Sequence, residues 1–457
     1  MYRATDDALG REVAIQRLMA RLPAAPEASE PRSAEEFANR GQRRCDQGDL
    51  DGAMADYTRA IELQPGAPAA FNNRGGVRRS RGDPDGAIED YTHAIALSPG
   101  YVEAHYNRGV TRIEKRDPDG AIRDFTRAIE LNPRYAAAYS NRGVALRARG
   151  DLDAAISDCT RAIELDARDR VAFSNCGAAR YDKRDLDGAV EDLSRAIDLD
   201  PRDALAHSNR GAARLDKGDP EGAIRDYSRA IELDPRLATA FNNRGRARYL
   251  KRDTAGALED YARAIELNPG YASTYCNRGI VRLETGDLDG AIADLDRALA
   301  IDPRMSDAFL NRGSARGRKR DVDGAVADFS RAIELNPGNA RAFYNRGLAR
   351  LTQRDPAGAQ PRHRGGPDVR RRVGRARVHA ARGRRSSRGH RGLRALPADR
   401  ARASPGGRGA PGARGGDGEA ALKRAYSFAC SFAHVSRSVT VRLKTGAPGF
   451  ESGSTQK

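Results

Sequence analysis

One feature constrains this chain more than any other. Glycine recurs every 34 residues, at Gly41, Gly75, Gly109, Gly143, Gly177, Gly211, Gly245, Gly279, Gly313 and Gly347. Two places before each stands an asparagine: Asn39, Asn73, Asn107, Asn141, Asn175, Asn209, Asn243, Asn277, Asn311 and Asn345. An alanine column runs from Ala53 to Ala359 and a second from Ala60 to Ala332, both in step with the glycines. A fixed period of this length means one supersecondary unit stacked on copies of itself, each unit burying the face that its neighbour exposes.

Each period reads as two short helices. In the period that begins at Pro68, the first helix runs from about Ala69 to Ser80. Gly82-Asp83-Pro84 is a turn, with Asp83 placed to cap the next helix and Pro84 in its first turn. Ala87, Ile88, Tyr91, Ala94, Ile95 and Leu97 then fall three and four apart, which puts them on one helical face. Pro99-Gly100 ends the unit. The glycine and the alanines are small because two helix backbones approach closely there, and larger groups would overpack the contact.

These residues resemble the tetratricopeptide repeat (TPR) family. The match in one unit is carried by Gly75, Ala87, Tyr91, Ala94 and Pro99, and it extends over residues 34–359 as nine full repeats plus a partial tenth. Departures are local. The early aromatic is His105 or His207 in two units, the closing proline is Ala167 in one, and the second-helix aromatic is Cys159, Leu193 or Leu295 in three. The resemblance implies an all-α fold, a superhelical solenoid with a concave inner face that binds a protein or peptide and does no chemistry itself.

The asparagine column is the sharpest candidate for function. An amide donates and accepts, so it can read the backbone of a peptide of any sequence. The column is similar to the asparagine ladders of TPR superhelices that hold extended peptides, which makes all ten asparagines candidate peptide-binding residues. A second reading stands beside it, in which each asparagine bonds the neighbouring repeat and keeps the stack in register. Asn72, Tyr106, Asn242, Arg246, Tyr249 and Tyr344 are expected to face the groove. They show no single-sign run and no clean carboxylate clamp. Arginine follows the asparagine in all units except at Cys176, and aspartate recurs from Asp56 to Asp328; these columns are expected to pair between helices.

Composition bounds the remaining classes. The chain has 457 residues, 80 Lys+Arg, 63 Asp+Glu and five cysteines. No apolar run is long enough to span a membrane, and the start MYRATDD lacks a secretory leader, so a cytoplasmic monomer is expected. The cysteines are too scattered for a disulfide framework, and neither they nor the histidines form a metal motif, so no metal and no cofactor is expected.

The ends differ from the middle. Residues 1–18 contain Arg11-Glu12-Val13-Ala14-Ile15, which resembles a strand of a serine/threonine kinase N-lobe, with Gln16 where the family has its phosphate-pairing lysine. No Gly-rich loop, catalytic loop or DFG motif accompanies it, so this part is a kinase-like remnant and the chain is expected not to be an enzyme. Residues 19–33 read as a linker. From 360 to 457 the chain holds 23 basic and 5 acidic residues, and the period is lost within one residue of Ala359. Two origins stay open, a genuine disordered basic tail and an out-of-frame translation of GC-rich DNA. Two function classes stay open beside the peptide scaffold. One is association with nucleic acid through the basic tail; the other is a truncated regulatory remnant of a kinase–TPR fusion.

Overall fold

The computed structural model describes residues 32–354; the kinase-like segment 1–18, most of the 19–33 linker and the 360–457 tail lie outside the described residues. The described residues form nineteen α-helices and fall in two compact units, residues 32–253 and 254–354. The first unit holds α1 (Ala34–Asp46), α2 (Leu50–Leu63), α3 (Pro68–Ser80), α4 (Pro84–Leu97), α5 (Val102–Glu114), α6 (Pro118–Leu131) and α7 (Ala136–Arg149). It continues with α8 (Leu152–Leu165), α9 (Arg170–Asp182), α10 (Leu186–Leu199), α11 (Ala204–Lys217), α12 (Pro220–Leu233) and α13 (Ala238–Leu250). The second unit holds α14 (Thr254–Leu267), α15 (Ala272–Thr285), α16 (Leu288–Ile301), α17 (Ser306–Arg318), α18 (Val322–Leu335) and α19 (Ala340–Arg354).

Odd-numbered helices are the first helices of the repeats and even-numbered ones the second. The turn between them is set by local chemistry. The Asp83 carboxylate accepts the Gly86 backbone N–H at 2.9 Å, closing the start of α4 behind Pro84. A side chain at Gly86 would run into that same carboxylate, so glycine is what lets the cap close. Just before each cap one residue takes a left-handed conformation: Gly82 (φ 80°) in one repeat, Arg116 (φ 61°) in the next. Glycine adopts this freely; arginine pays a steric cost there.

Within a repeat the two helices close around one ring. A Cβ on Gly75 would sit 2.8 Å from Tyr91 Cε1, and Tyr91, Phe125, Tyr227 and Phe329 are all fully buried. The core then runs from repeat to repeat: Tyr106 and Val110 of α5, Phe125 and Ile129 of α6 and Ala138 of α7 form one cluster. Burying such a ring contributes on the order of 2–3 kcal/mol.

The structure corrects one sequence expectation. Cys159 on α8 and Cys176 on α9 form a disulfide, with their Cα atoms 5.4 Å apart. Cys159 occupies a ring position and Cys176 an arginine position. Stacking a second helix against the next first helix brings those two columns together, which spacing along the chain does not reveal. Cys45 and Cys276 take no part in this cross-link.

Candidate functional site: the inner face of the first helices

Within each unit, the first helices of successive repeats touch one another directly, whereas the second helices make their contacts with the first helices on either side. The closer approach of the first helices puts them on the inner side of each unit's curve. Arginine holds this arrangement from behind. Arg108 gives Nε and Nη2 to Asp124 at 3.0 and 2.7 Å, and Arg112 Nη1 reaches the same carboxylate at 2.7 Å. Arg108 Nη1 also donates to Thr92 Oγ1 of the preceding repeat at 3.0 Å. Burial alone would raise the Asp124 pKa, but the nearby His105 ring, the hydrogen bonds from Arg108 and the charges of Arg108 and Arg112 hold it below the usual carboxylate value. The expected pairing of the arginine and aspartate columns is thus present, at 2.7 Å for Arg40–Asp56 and Arg74–Asp90 and at 2.6 Å for Arg312–Asp328.

Two tetratricopeptide-repeat family models match this helical-pair architecture. One, a tetratricopeptide repeat model, covers residues 106–170, 242–306, 276–326 and 310–360. The other, a TPR repeat model, covers 41–78, 75–115, 177–218 and 213–252, and together they span more than half of the chain. The chain belongs to the tetratricopeptide repeat family. Among solved structures it is similar to YrrB, described as a TPR protein with an unusual peptide-binding site, at 23% identity over 40% of this chain and 95% of that one, TM-score 0.34. It is similar to MamA at 28% identity, over 36% of this chain and 96% of that one, TM-score 0.33. A tetratricopeptide repeat protein from Parabacteroides merdae ATCC 43184 matches at 20% identity, over 51% of this chain and 93% of that one, TM-score 0.43. No curated protein matches the chain.

The TPR asparagines divide by position. Asn141, Asn175, Asn209, Asn277, Asn311 and Asn345 are buried, Asn73, Asn107 and Asn243 are half-buried, and Asn39 is exposed. Several amides donate backwards by 35 residues to the first helix of the preceding repeat: Asn107 to Asn72 Oδ1 at 3.0 Å, Asn141 to Tyr106 Oη at 3.0 Å and Asn175 to Ser140 Oγ at 3.2 Å. Asn311 turns instead to its own helix, donating to the Asp307 carbonyl at 2.8 Å. Asn73 and Asn243 accept from their neighbours Asn72 and Asn242. Asn72, Tyr106 and Asn242, expected to face the groove, are buried in these same helix contacts, while Tyr344 is exposed and Arg246 and Tyr249 are half-buried.

A set of charged residues that the 34-residue columns do not pick out lies on the accessible part of this face. Arg147 donates to Asp182 at 2.6 Å, Tyr181 Oη to Asp216 at 3.0 Å, and Arg184 Nη1 to the same Asp216 oxygen at 2.7 Å. Arg246 stands 3.7 Å from Asp216. Burial and the Asp216 charge together push the Tyr181 phenol well above its ordinary pKa, so it acts as a fixed donor at neutral pH. Arg147–Asp182 and Tyr181–Asp216 both step by 35 residues, one more than the repeat. A search for identical residues at the repeat spacing therefore passes over them; a search for complementary residues one place off it finds them. Among the described residues no helix is long and apolar enough to cross a membrane, and no cluster of metal-ligating side chains occurs.

Proposed function

We propose that this TPR chain is a non-catalytic scaffold that holds an extended segment of a partner protein along the inner face of its first helices, in α7 to α13. The observation that carries the reading is the ladder from Arg147 through Asp182, Tyr181, Arg184 and Asp216 to Arg246. Its members are fixed by one another across successive repeats, so little side-chain entropy is lost when a ligand arrives. Mixed charge on a rigid face favours a segment of mixed charge whose side chains exchange with these pairs. In this reading the buried asparagines set the register of the ladder. Of the asparagines that keep some exposure, Asn243 on α13 is the one beside this ladder that would meet a peptide backbone; Asn39, Asn73 and Asn107 lie on α1, α3 and α5, before it.

The test is cross-linking of the full chain in extracts, with a photoreactive residue in place of Arg246, followed by identification of the bound segments. The reading expects protein cross-links that disappear in a variant with Arg184→Glu and Asp216→Arg while the far-ultraviolet spectrum is unchanged. Adducts confined to nucleic acid, and lost when the 360–457 segment is deleted, would replace this reading with the basic-tail one.

A further inference from the structure

A column of hydroxyl groups lies along the junctions between repeats. On the second helices the residue after the ring place is threonine or serine, in steps of 34 from Thr58 to Ser330, except at Ala262 and Asp296. Sixteen residues on, the arginine of the next first helix meets it. Arg74, Arg142, Arg210 and Arg244 each donate from Nη1 to such a hydroxyl, at 3.1–3.4 Å. At Asp296 the place holds an anion instead. There Arg312 Nη1 reaches the carboxylate at 2.5 Å, while its Nε and Nη2 stay on Asp328 at 3.0 and 2.6 Å. A negative charge at this place is thus received without giving up the pair within the repeat.

Thr92 on α4 is the threonine of this column that is both exposed and met by an arginine. Thr58, Thr126, Ser194, Ser228 and Ser330 are half-buried, and Thr160 lies beside Cys176. The Thr92 hydroxyl donates to the Ile88 carbonyl at 2.7 Å and accepts from Arg108 Nη1 at 3.0 Å. Arg108 keeps Nε and Nη2 on Asp124, as Arg312 does on Asp328. The two guanidinium groups are equally sheltered, 14% exposed for Arg108 and 15% for Arg312. Thr92 and Asp296 therefore face the same receiver and differ in charge.

We propose that Thr92 is a phosphorylation site whose phosphate is received by Arg108, so that modification ties α4 to α5 across the junction. A separate protein kinase transfers the γ-phosphoryl group of a nucleoside triphosphate. The bond from Thr92 Oγ1 to phosphorus forms as the bond to the departing nucleoside diphosphate breaks, and the hydroxyl proton leaves to the kinase's base. Thr92 lies inside a helix, so transfer goes through local opening of its repeat, which a stacked array permits. A phosphate placed opposite an arginine gains charge-assisted hydrogen bonds that the neutral hydroxyl lacks. The site lies on α4 and α5, before the ladder of α7 to α13, and does not depend on it.

The first test is on the full chain isolated from its own cells with phosphatases inhibited, by fragmentation mapping of the tryptic peptide of residues 82–108. Phosphate on Thr92 is expected, and its absence there overturns the proposal. The receiver is tested on the full chain carrying phosphothreonine at position 92, with amide exchange read in α4 and α5. Protection is expected to rise roughly tenfold on phosphorylation, and the rise to vanish in Arg108→Gln. Each protein is compared with its own unmodified form, so the cost of leaving Asp124 without Arg108 cancels. Thr92→Asp, which copies Asp296 and leaves Arg108 in place, is expected to raise protection roughly threefold, and Thr92→Asn to give no rise. Protection that falls on phosphorylation, or that rises equally without Arg108, overturns the proposal, because the phosphate is then not received at this junction.

Discussion

Asp192 is the aspartate of its column that lost a partner, and this makes a sharp prediction. In the other described units the preceding helix supplies an arginine sixteen residues earlier; here that place is Cys176, tied to Cys159. Arg180 Nε remains 3.2 Å from Asp192 Oδ2 as a charge pair, but its direction leaves that buried oxygen without a hydrogen bond. Burial, against only the Arg180 charge and with Glu191 and Asp185 adding to the rise, pushes its pKa from 3.8 up to about 6. A raised folded-state pKa gives stability that is fully present below pH 3.8 and is lost as pH rises through about 6. Holding the group ionised at pH 7.5 therefore costs on the order of 3 kcal/mol, and at pH 4.5 about a third of that. Asp192→Asn removes the cost, so at pH 7.5 the variant is expected to be more stable by about 1–3 kcal/mol, and less so at pH 4.5. Asp124→Asn is the opposite case: it leaves Arg108 and Arg112 without their carboxylate and is expected to cost about 3–5 kcal/mol. Opening of a repeat array is local, so the assay is native-state amide exchange in α10 and α6, with urea unfolding beside it and the disulfide kept oxidised throughout. If both variants destabilise to a similar extent at pH 7.5, or if the Asp192→Asn effect does not change with pH, the argument that Asp192 is an uncompensated charge is wrong.

Three further outcomes are expected. Gly75→Ala puts a Cβ 2.8 Å from Tyr91 and should destabilise by about 1–2 kcal/mol, whereas Gly347→Ala meets no described atom and should increase exchange protection in α19. Arg116→Gly relieves an exposed left-handed arginine at φ 61° and should stabilise by up to about 1 kcal/mol in thermal unfolding. Cys176→Ser should lower stability by about 3 kcal/mol in oxidised protein, since it opens a cross-link of separation 17, and by far less once both proteins are reduced; peptide mapping without reductant should find the 159–176 pair.

The fold was legible because its cause is repetition. A glycine opposite a ring, an aspartate cap and alanines on the contact face recur at fixed places, and one unit's reading transfers to the rest. The arginine–aspartate pairs were legible for the same reason, since both partners belong to one repeat. What lay beyond this reading crosses repeats. Tyr181 and Asp216, or Arg147 and Asp182, are partners one residue out of step with the period, and each pair occurs once, so no column marks them. Cys159 and Cys176 were visible as two separate departures, one from the ring column and one from the arginine column. Their meeting follows only when the second helix of one unit is laid against the first helix of the next.

The asparagines show that a perfect column fits more than one role. Recurrence is expected of a residue that solves the packing problem common to every junction, although not every contact between repeats recurs, as Tyr181–Asp216 shows. Recurrence is not required of a residue that reads a ligand's side chains, since an extended partner presents different side chains at each step, whereas a residue that reads its backbone can recur. Asn141 and Asn175 fit the first description: both are buried, and both give their amide N–H to the preceding first helix. Arg184, Asp216 and Arg246 fit the second: they vary from repeat to repeat, keep exposure, and hold one another in place. Specificity in a solenoid of this kind is therefore to be sought where the columns break. The strongest such break among the described residues is the charged ladder of α7 to α13.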